Sequence, residues 1–578
     1  MTTPASPPTP PISSAPASRR TNNSSLDLTI QALTIQYLQP RTPGTADPDS
    51  VAGELTEIAN QAARLLEAKP LKIRNPTLAQ IAAAMIALHY VVRINEGGAT
   101  SDRSQVAIYM TIGDKLGTYS TDEGELRRLI RRYSPNITRN QSQDLLQILL
   151  DQAPQVQVCN DRDVIAVNNG VFNYKTKELS NFTPDVVLLS KSPVDYVENP
   201  TSPTITHPED GSTWELDEWV REVATVPDPD GGPSMVDEEI VDTLWKIAGA
   251  VNRPLVNWNK AAFLYSTTGN NGKGTYAHFL RGLTGPAATS IPLADMGKEF
   301  HLEGLSNFSA IICDENNVGV YLDQVGNLKA LITQDVLLVN RKNKIPVAMR
   351  WRGLIVQCLN GLPVSKDKSQ SFYRRQLFVP FRNRFEGGSI ERKYIKFDYL
   401  QRKEVLEFAL HKTLHLPDYY ELQTPTAGQH VMNEYQIAND NTREFWYEIA
   451  SELAWDIVPN AFLHDLYRAW MGRANPSSHP LGRNNFLAGL REVINESTEW
   501  RSPMDAATGQ PQLLRVGLAM DSPEKLIDEY DLTKWMAPGY TGNNWQHRCV
   551  PAMPDRTRGI VRRSSLAHTP PKSSIPRS

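Results

Sequence analysis

Paired cysteines are missing from this chain. Its 578 residues hold only Cys159, Cys313, Cys358 and Cys549, scattered without metal-ligand or disulfide spacing. That excludes a zinc module and a disulfide framework, and leads us to expect a reduced, cytoplasmic-type protein. No apolar run reaches eighteen residues, so no membrane span is expected. Charge of one sign is absent too. Lys and Arg number 60 against 64 Asp and Glu, a net charge of −4, so any nucleic-acid surface must be local. Residues 1–25 are rich in Pro, Ser and Thr and lack the apolar centre of a signal peptide. They bury too little to offset their ordering entropy and are expected to be disordered. No internal repeat is evident. What is present is a hydrophobic fraction of 40%, ample for real cores, over a length that suggests three or four domains.

The most informative stretch is Ser266–Thr275, which follows the apolar run Ala261–Tyr265 and precedes the amphipathic segment Tyr276–Leu283. A buried strand, a glycine-containing turn and a helix start meet at Lys273, so backbone N–H groups and a helix N-terminus converge where a polyphosphate would sit. Thr268, Gly269, Asn270, Asn271, Gly272, Lys273, Gly274 and Thr275 are the candidate ATP-binding residues. Lys273 would reach the outer phosphates. Thr267 stands in place of the usual first glycine and Gly274 in place of the usual hydroxyl, which leaves Thr275 as the candidate magnesium ligand.

A second apolar run, Ser309–Cys313, ends in Asp314 and Glu315. Asp314 is placed to hold Mg²⁺ and Glu315 to activate water. A third run, Gly353–Leu359, ends in Asn360, whose amide can polarise water beside a γ-phosphate. Arg374 and Arg375 precede another strand, and a guanidinium can neutralise transition-state charge across a subunit boundary.

These residues, in this order, resemble the superfamily 3 helicases of the D5-like, P4-type primase-helicase family of phages, plasmids and large DNA viruses. The resemblance rests on Asn271-Gly272-Lys273, Asp314-Glu315, Asn360 ahead of Gly361-Leu362-Pro363, and the stretches 163–172 and 182–185, and it covers roughly Gln105 to Ile494. It implies an α/β, AAA+-like P-loop ATPase core, a mixed α/β D5 amino-terminal domain and a carboxyl-terminal winged helix. It also implies a hexameric ring with ATP at each interface and Arg375 as the arginine finger. The segment Leu328–Asp335 running into Val339–Pro346 matches the family's pore hairpin, so Arg341, Lys342, Asn343 and Lys344 are expected to touch single-stranded DNA. Gln334 departs from the family pattern, standing where glycine is usual.

The expected organisation is a disordered tail (1–25), a helical segment (26–100), a D5-like domain (101–234), the ATPase (235–415), a carboxyl-terminal region with a winged helix (416–550) and a basic disordered tail (551–578). Helical spacing is read over 51–68 and 76–94, where Leu78, Ile81, Met85, Leu88 and Val92 recur. Val458–Trp470 and Gly482–Ile494 share that spacing, and Arg483 would open a groove-reading helix for duplex origin DNA. Asp161 and Asp163 have the spacing of a primase pair, but too little chain precedes them for a polymerase-type fold. No primase is expected here, and a separate primase or replication partner is implied. His411 and His415 lack a third ligand and are read as ordinary helical residues. The expected function is an ATP-dependent DNA helicase of a phage- or plasmid-like replicon, located in the host cytoplasm if phage-encoded. The alternatives are an origin-binding initiator, or an AAA+ remodelling ATPase or helicase loader that does not translocate.

Overall fold

A computed structural model describes residues 18–44, 46–68, 72–96, 103–228, 230, 232–298, 301–342, 344–385, 392–474, 479–504, 509–552 and 554–564. The chain divides into two compact units, Met1–Gln429 and His430–Ser578.

The first unit opens with α1 (Ser18–Leu38), which begins inside the segment expected to be disordered. Its Leu26 and Ile30, in the segment expected to be helical, are buried against Ala59, Ala62 and Ala63 of α2 (Pro48–Leu65). Residues 1–17 of that expected tail lie outside the described residues. Helix α3 (Leu78–Leu88) starts at a capping box between Thr77 and Gln80. The helical pattern expected to reach Ile94 stops at Leu88. Tyr90 takes φ +48°, and the β-branched Val91, Val92 and Ile94 form β1 (Val91–Ile94). With β2 (Gln105–Tyr109), β3 (Tyr119–Ser120) and β4 (Gln155–Val156), it makes a sheet of order β3-β2-β1-β4. Helices α4 (Glu123–Tyr133) and α5 (Arg139–Gln152) share its core. Leu55, Ile81 and Met85 pack with Val106, Leu126, Ile130 and Leu149. The segment expected to stand apart as 26–100 is therefore part of one body with residues beyond 101.

His89, which caps α3, is more than half buried with Nε2 2.8 Å from Tyr133 Oη. Burial, followed by the nearby Arg132 cation, depresses its pKa to about 4. Between about pH 4 and 6.5 the unfolded chain binds a proton here that the fold refuses, so stability falls as pH drops through that window. The span corresponds to about 3 kcal/mol. Denaturant midpoints at pH 7 and pH 4.5 should show this loss in the wild type and a smaller one in His89→Gln. An unchanged pH dependence in the variant would refute the assignment.

Strands β5 (Val164–Val167), β6 (Gly170–Asn173) and β7 (Glu178–Ser180) form an antiparallel sheet. The pairs β8 (Thr204–Thr206) with β9 (Thr213–Glu215), and β10 (Thr225–Val226) with β11 (Met235–Val236), flank α6 (Leu216–Val223). Helix α7 (Glu238–Ala250), capped by Asp237, leads to the main sheet. One continuous core joins Ile165, Phe172 and Trp219 to Leu264, Ile312, Val356 and Val379.

The main sheet contains β12 (Ala261–Tyr265), β13 (Ala288–Thr289) and β14 (Ala310–Cys313), with α8 (Lys273–Thr284) leaving β12. A short β15 (Tyr321–Leu322), α9 (Gly326–Thr333) and the hairpin of β16 (Val336–Arg341) and β17 (Lys344–Arg350) follow. The chain returns through β18 (Leu354–Leu359), β19 (Val364–Ser365), α10 (Gln370–Tyr373) and β20 (Gln376–Pro380), then α11 (Lys393–Phe397) and α12 (Lys403–Leu414). The sheet order is β13-β14-β18-β12-β20, every pairing parallel. This is the α/β architecture expected. His411 and His415 stack at 4.1 Å on α12, with His411 Nδ1 3.0 Å from Val197 O and His415 Nε2 3.1 Å from Tyr196 Oη.

After α13 (Thr426–Asn439), the second unit contains α14 (Asn441–Ile449), β21 (Ile457–Pro459), α15 (Asn460–Ala474), α16 (Arg483–Asn495), β22 (Trp500–Arg501), β23 (Leu513–Arg515) and β24 (Arg556–Arg562). The order β21-β24-β22, all antiparallel, with β23 also pairing β24, is a winged-helix arrangement. Strand β24 lies inside the tail expected to be disordered from 551. Ile560 and Val561 are buried in the unit's core, and a Pro/Ser-rich composition around them hides that strand. Residues 565–578 of that expected tail lie outside the described residues.

Candidate active site

All residues of β12 except the last are buried, as a central parallel strand requires. Its carboxyl end turns into the glycine-containing loop. Gly272 caps α8 at φ +88°, and a Cβ there would meet Phe385 Cε2 at 3.3 Å. Glycine is needed on both counts. Asn271 is 3% exposed and folds the loop upon itself. Its Nδ2 donates to Thr268 O, and its Oδ1 accepts from Lys273 Nζ at 3.1 Å. Burial lowers the pKa of the Lys273 ammonium, and an anionic ligand beside it would reverse that cost.

Because all five strands run parallel, the loop, Asp314, Glu315 and Asn360 all leave from carboxyl ends on one edge of the sheet, where such sheets bind ligands. Strand β18 lies between β12 and β14, so Asn360 stands between the loop and the acids. A cavity of about 1070 Å³ opens there, lined by Gly269, Asn270, Asn271, Gly272, Lys273, Gly274, Thr275, Asp314, Glu315 and Asn360. Thr268 does not line it, its Oγ1 lying 3.3 Å from Ser266 Oγ. Asp314 Oδ1 is buried without a hydrogen-bond partner. An orphaned carboxylate oxygen in a cavity that Thr275 also lines fits a hard divalent cation, which takes oxygen ligands. Asn316 fixes this acidic turn, donating to Gln357 Oε1 at 3.0 Å and Cys358 O at 3.1 Å while accepting from Leu293 N at 2.9 Å.

Several lining residues carry no motif. Trp219 and Glu222 come from α6, and Phe385, Lys396 and Phe397 from the chain after β20. Phe385 N–H donates to Asn270 O at 2.9 Å, tying that chain to the loop. The only sequence signal was the mixed cationic and aromatic run Arg392–Phe397.

Other candidates lie apart from the cavity. Arg375 precedes β20, and Gln376 pairs with Ala261 at the amino end of β12, opposite the loop. Its Nη1 donates to Ser371 O and, at 2.6 Å, to Ser371 Oγ, while Nε is buried without a partner. Arg374 is exposed. In the β16–β17 hairpin, Arg341 and Lys344 pair across the turn, and both reach Glu123 of α4, at 3.4 and 2.6 Å. Lys342 is exposed, and Asn343 lies outside the described residues. Gln334 ends α9 at φ +55° and donates from Nε2 to Pro254 O at 3.1 Å and Val256 O at 3.0 Å. Those bonds offset the roughly 1–2 kcal/mol that the left-handed conformation costs a side chain. In the second unit, Arg483, Asn484 and Asn485 are exposed at the start of α16.

Family models match three stretches: D5 N terminal like over 77–224, a family of unknown function (DUF5906) over 264–375, and poxvirus D5 protein-like over 437–507. Two of these three matches are to D5-type families. The amino-terminal match begins at 77, which agrees with the shared core that joins α3 to the sheet beyond 101. Among solved structures, the apo A form of the NrS-1 C terminal region is 14% identical, covering 75% of this chain and 98% of that one at a TM-score of 0.38. The active helicase Cch of SCCmec type IV is 13% identical, covering 70% and 72% at a TM-score of 0.21. No curated protein matches the chain. Among the described residues no helix is long and apolar enough to cross a membrane.

Proposed function

We propose that this D5-like chain is an ATP-driven DNA helicase, a ring-forming superfamily 3 motor that serves replication of a phage- or plasmid-like element in the host cytoplasm. The observation that carries the reading is the convergence of Lys273, Asp314, Glu315 and Asn360 on one cavity at the carboxyl edge of a parallel sheet. In this reading Lys273 and the loop amides bind the β- and γ-phosphates of ATP. Glu315 accepts a proton from the attacking water, and Asn360 holds that water's oxygen beside the γ-phosphate. Asp314 and Thr275 hold Mg²⁺, which when bound neutralises phosphate charge. Arg375 acts on the site of the next subunit, and a hexamer supplies that neighbour. A separate primase or other replication proteins complete the machinery.

Single-stranded DNA occupies the pore, where the hairpin meets its phosphates. Lys344 and Arg341 already share Glu123, so Lys342 is the cation left to carry most of that contact. Hydrolysis measured with and without single-stranded DNA should show stimulation in the wild type. Lys342→Ala should lose several-fold of that stimulation and Lys344→Ala less, about the weight of one or two phosphate contacts. Hydrolysis that DNA does not stimulate, unchanged in both variants, would instead favour a protein-remodelling ATPase. The exposed Arg483–Asn485 face of the winged helix favours one second reading, an origin-binding initiator. That reading requires sequence-specific duplex binding lost in Arg483→Ala.

A further inference from the structure

The loop breaks its expected pattern at Gly274, and the fold places a cation against that gap. A Cβ built on Gly274 would have one heavy atom within 4 Å, the Nζ of Lys396, at 3.9 Å. Lys396 Nζ therefore stands beside the position that usually carries the hydroxyl. Lys396 belongs to α11, which is absent from every motif of the loop. Yet it lines the same cavity as Lys273, Thr275 and Asp314. Its neighbours are an aromatic ring and an imidazole. Lys396 Nζ lies 5.4 Å from the centre of the Phe397 ring, and that ring meets His278 edge-on at 5.7 Å. His278 lies one turn along α8 from Gly274. Burial, and then the Lys396 charge, hold its imidazole below the usual range, so the helix face beside the loop is kept neutral. Among the described residues no carboxylate forms an ion pair with Lys396, whereas Arg392 of the same stretch is paired with Glu222 at 2.9 Å.

We propose that Lys396 is a phosphate-contacting residue of the nucleotide site, its ammonium standing beside Gly274 and reaching the polyphosphate from the same subunit. The inference rests on the nucleotide reading of the cavity and deepens it. In most loops of this kind the residue after the lysine supplies a metal-ligating hydroxyl. Here the hydroxyl moves to Thr275, and a second cation beside Lys273 makes up the charge. An ammonium serves as a point charge on phosphate, so its loss should weaken binding in proportion to the phosphates present.

The test is a fluorescence titration of the full chain with labelled AMP, ADP and a non-hydrolysable ATP analogue, in wild type, Lys396→Met, Lys396→Arg and Lys273→Ala. Lys396→Met should bind ADP and the ATP analogue about tenfold more weakly and AMP within about twofold of wild type. Lys396→Arg, which keeps the charge, should restore the affinity. A lysine that only packs against Phe397 would change the melting temperature and leave the ratio of ADP to AMP affinity untouched, and that result would overturn the proposal. Lys273→Ala separates the two levels. Loss of binding there, with Lys396→Met unaffected, refutes only the Lys396 assignment. Unchanged binding in both removes the nucleotide reading itself.

Discussion

Replacing Arg375 with alanine should lower the ATP turnover number by about 10³–10⁵-fold while ATP affinity stays within a few-fold. The reason is topological. Arg375 sits where β20 begins and Lys273 where β12 ends, and the two strands run parallel, in register from Ala261↔Gln376 to Tyr265↔Pro380. Five residues of strand separate the two ends, about 17 Å at the usual rise, so this guanidinium cannot serve its own subunit's phosphates. The Ser371 carbonyl and hydroxyl hold it at α10, and in the ring reading it serves a neighbour's site. Adding Arg375→Ala protein to wild type should then depress activity more than dilution does, since each mixed ring loses working interfaces. Normal turnover in Arg375→Ala with a collapse in Arg374→Ala would move the role one residue. Normal turnover in both would end the trans-arginine reading.

The second large effect concerns stability. Arg253 is 1% exposed, with its guanidinium 3.5 Å from the Tyr174 ring centre, 4.7 Å from Tyr419 and 5.2 Å from Tyr420. Its Nη1 donates to Tyr419 O at 2.9 Å, and Tyr174 Oη donates to Leu416 O at 2.9 Å. This cluster ties Tyr174, just after β6, to Arg253 ahead of β12 and to the chain after α12. Desolvated cation–π contacts of this kind are worth about 2 kcal/mol or more. Arg253→Ala also leaves a cavity, so a loss of about 3–5 kcal/mol is expected in urea unfolding. Arg253→Met, which keeps most of the volume, should cost markedly less. An alanine variant within about 1 kcal/mol of wild type would mean that the ring cluster carries no stability of its own.

The glycine-lysine loop, the acidic strand end and Asn360 were legible because each is local. Each follows the end of its own buried strand closely: Gly272 and Lys273 after Tyr265, Asp314 after Cys313 and Asn360 after Leu359. Strand order was legible only in outline. Short-range pattern predicted that the acids and the loop share an edge, and the fold inserted β18 between them. Two tails were misread where composition outweighed position. Residues 18–25 are helical because α1 continues through Leu26 and Ile30, which α2 buries, and Ile560 and Val561 are buried because β21 and β22 offer them a sheet. Val91–Ile94 read as the end of a helix, since nothing local reveals β2 as a partner.

The rest of the site was invisible for the same reason. Trp219, Phe385 and Lys396 lie from about fifty residues before to more than a hundred after the loop, and no spacing rule links them to it. Glu123 lies more than two hundred residues from the hairpin that it pairs with. By itself the sequence determined which strand carries the glycine-lysine loop, which acids end the next strand, and that Lys273, Asp314, Glu315 and Asn360 are the polar candidates there. Only the tertiary structure decided which distant side chains close the cavity and which cations are already spent on neighbours. Those are contacts between segments that are independent along the chain, and burial alone brings them together.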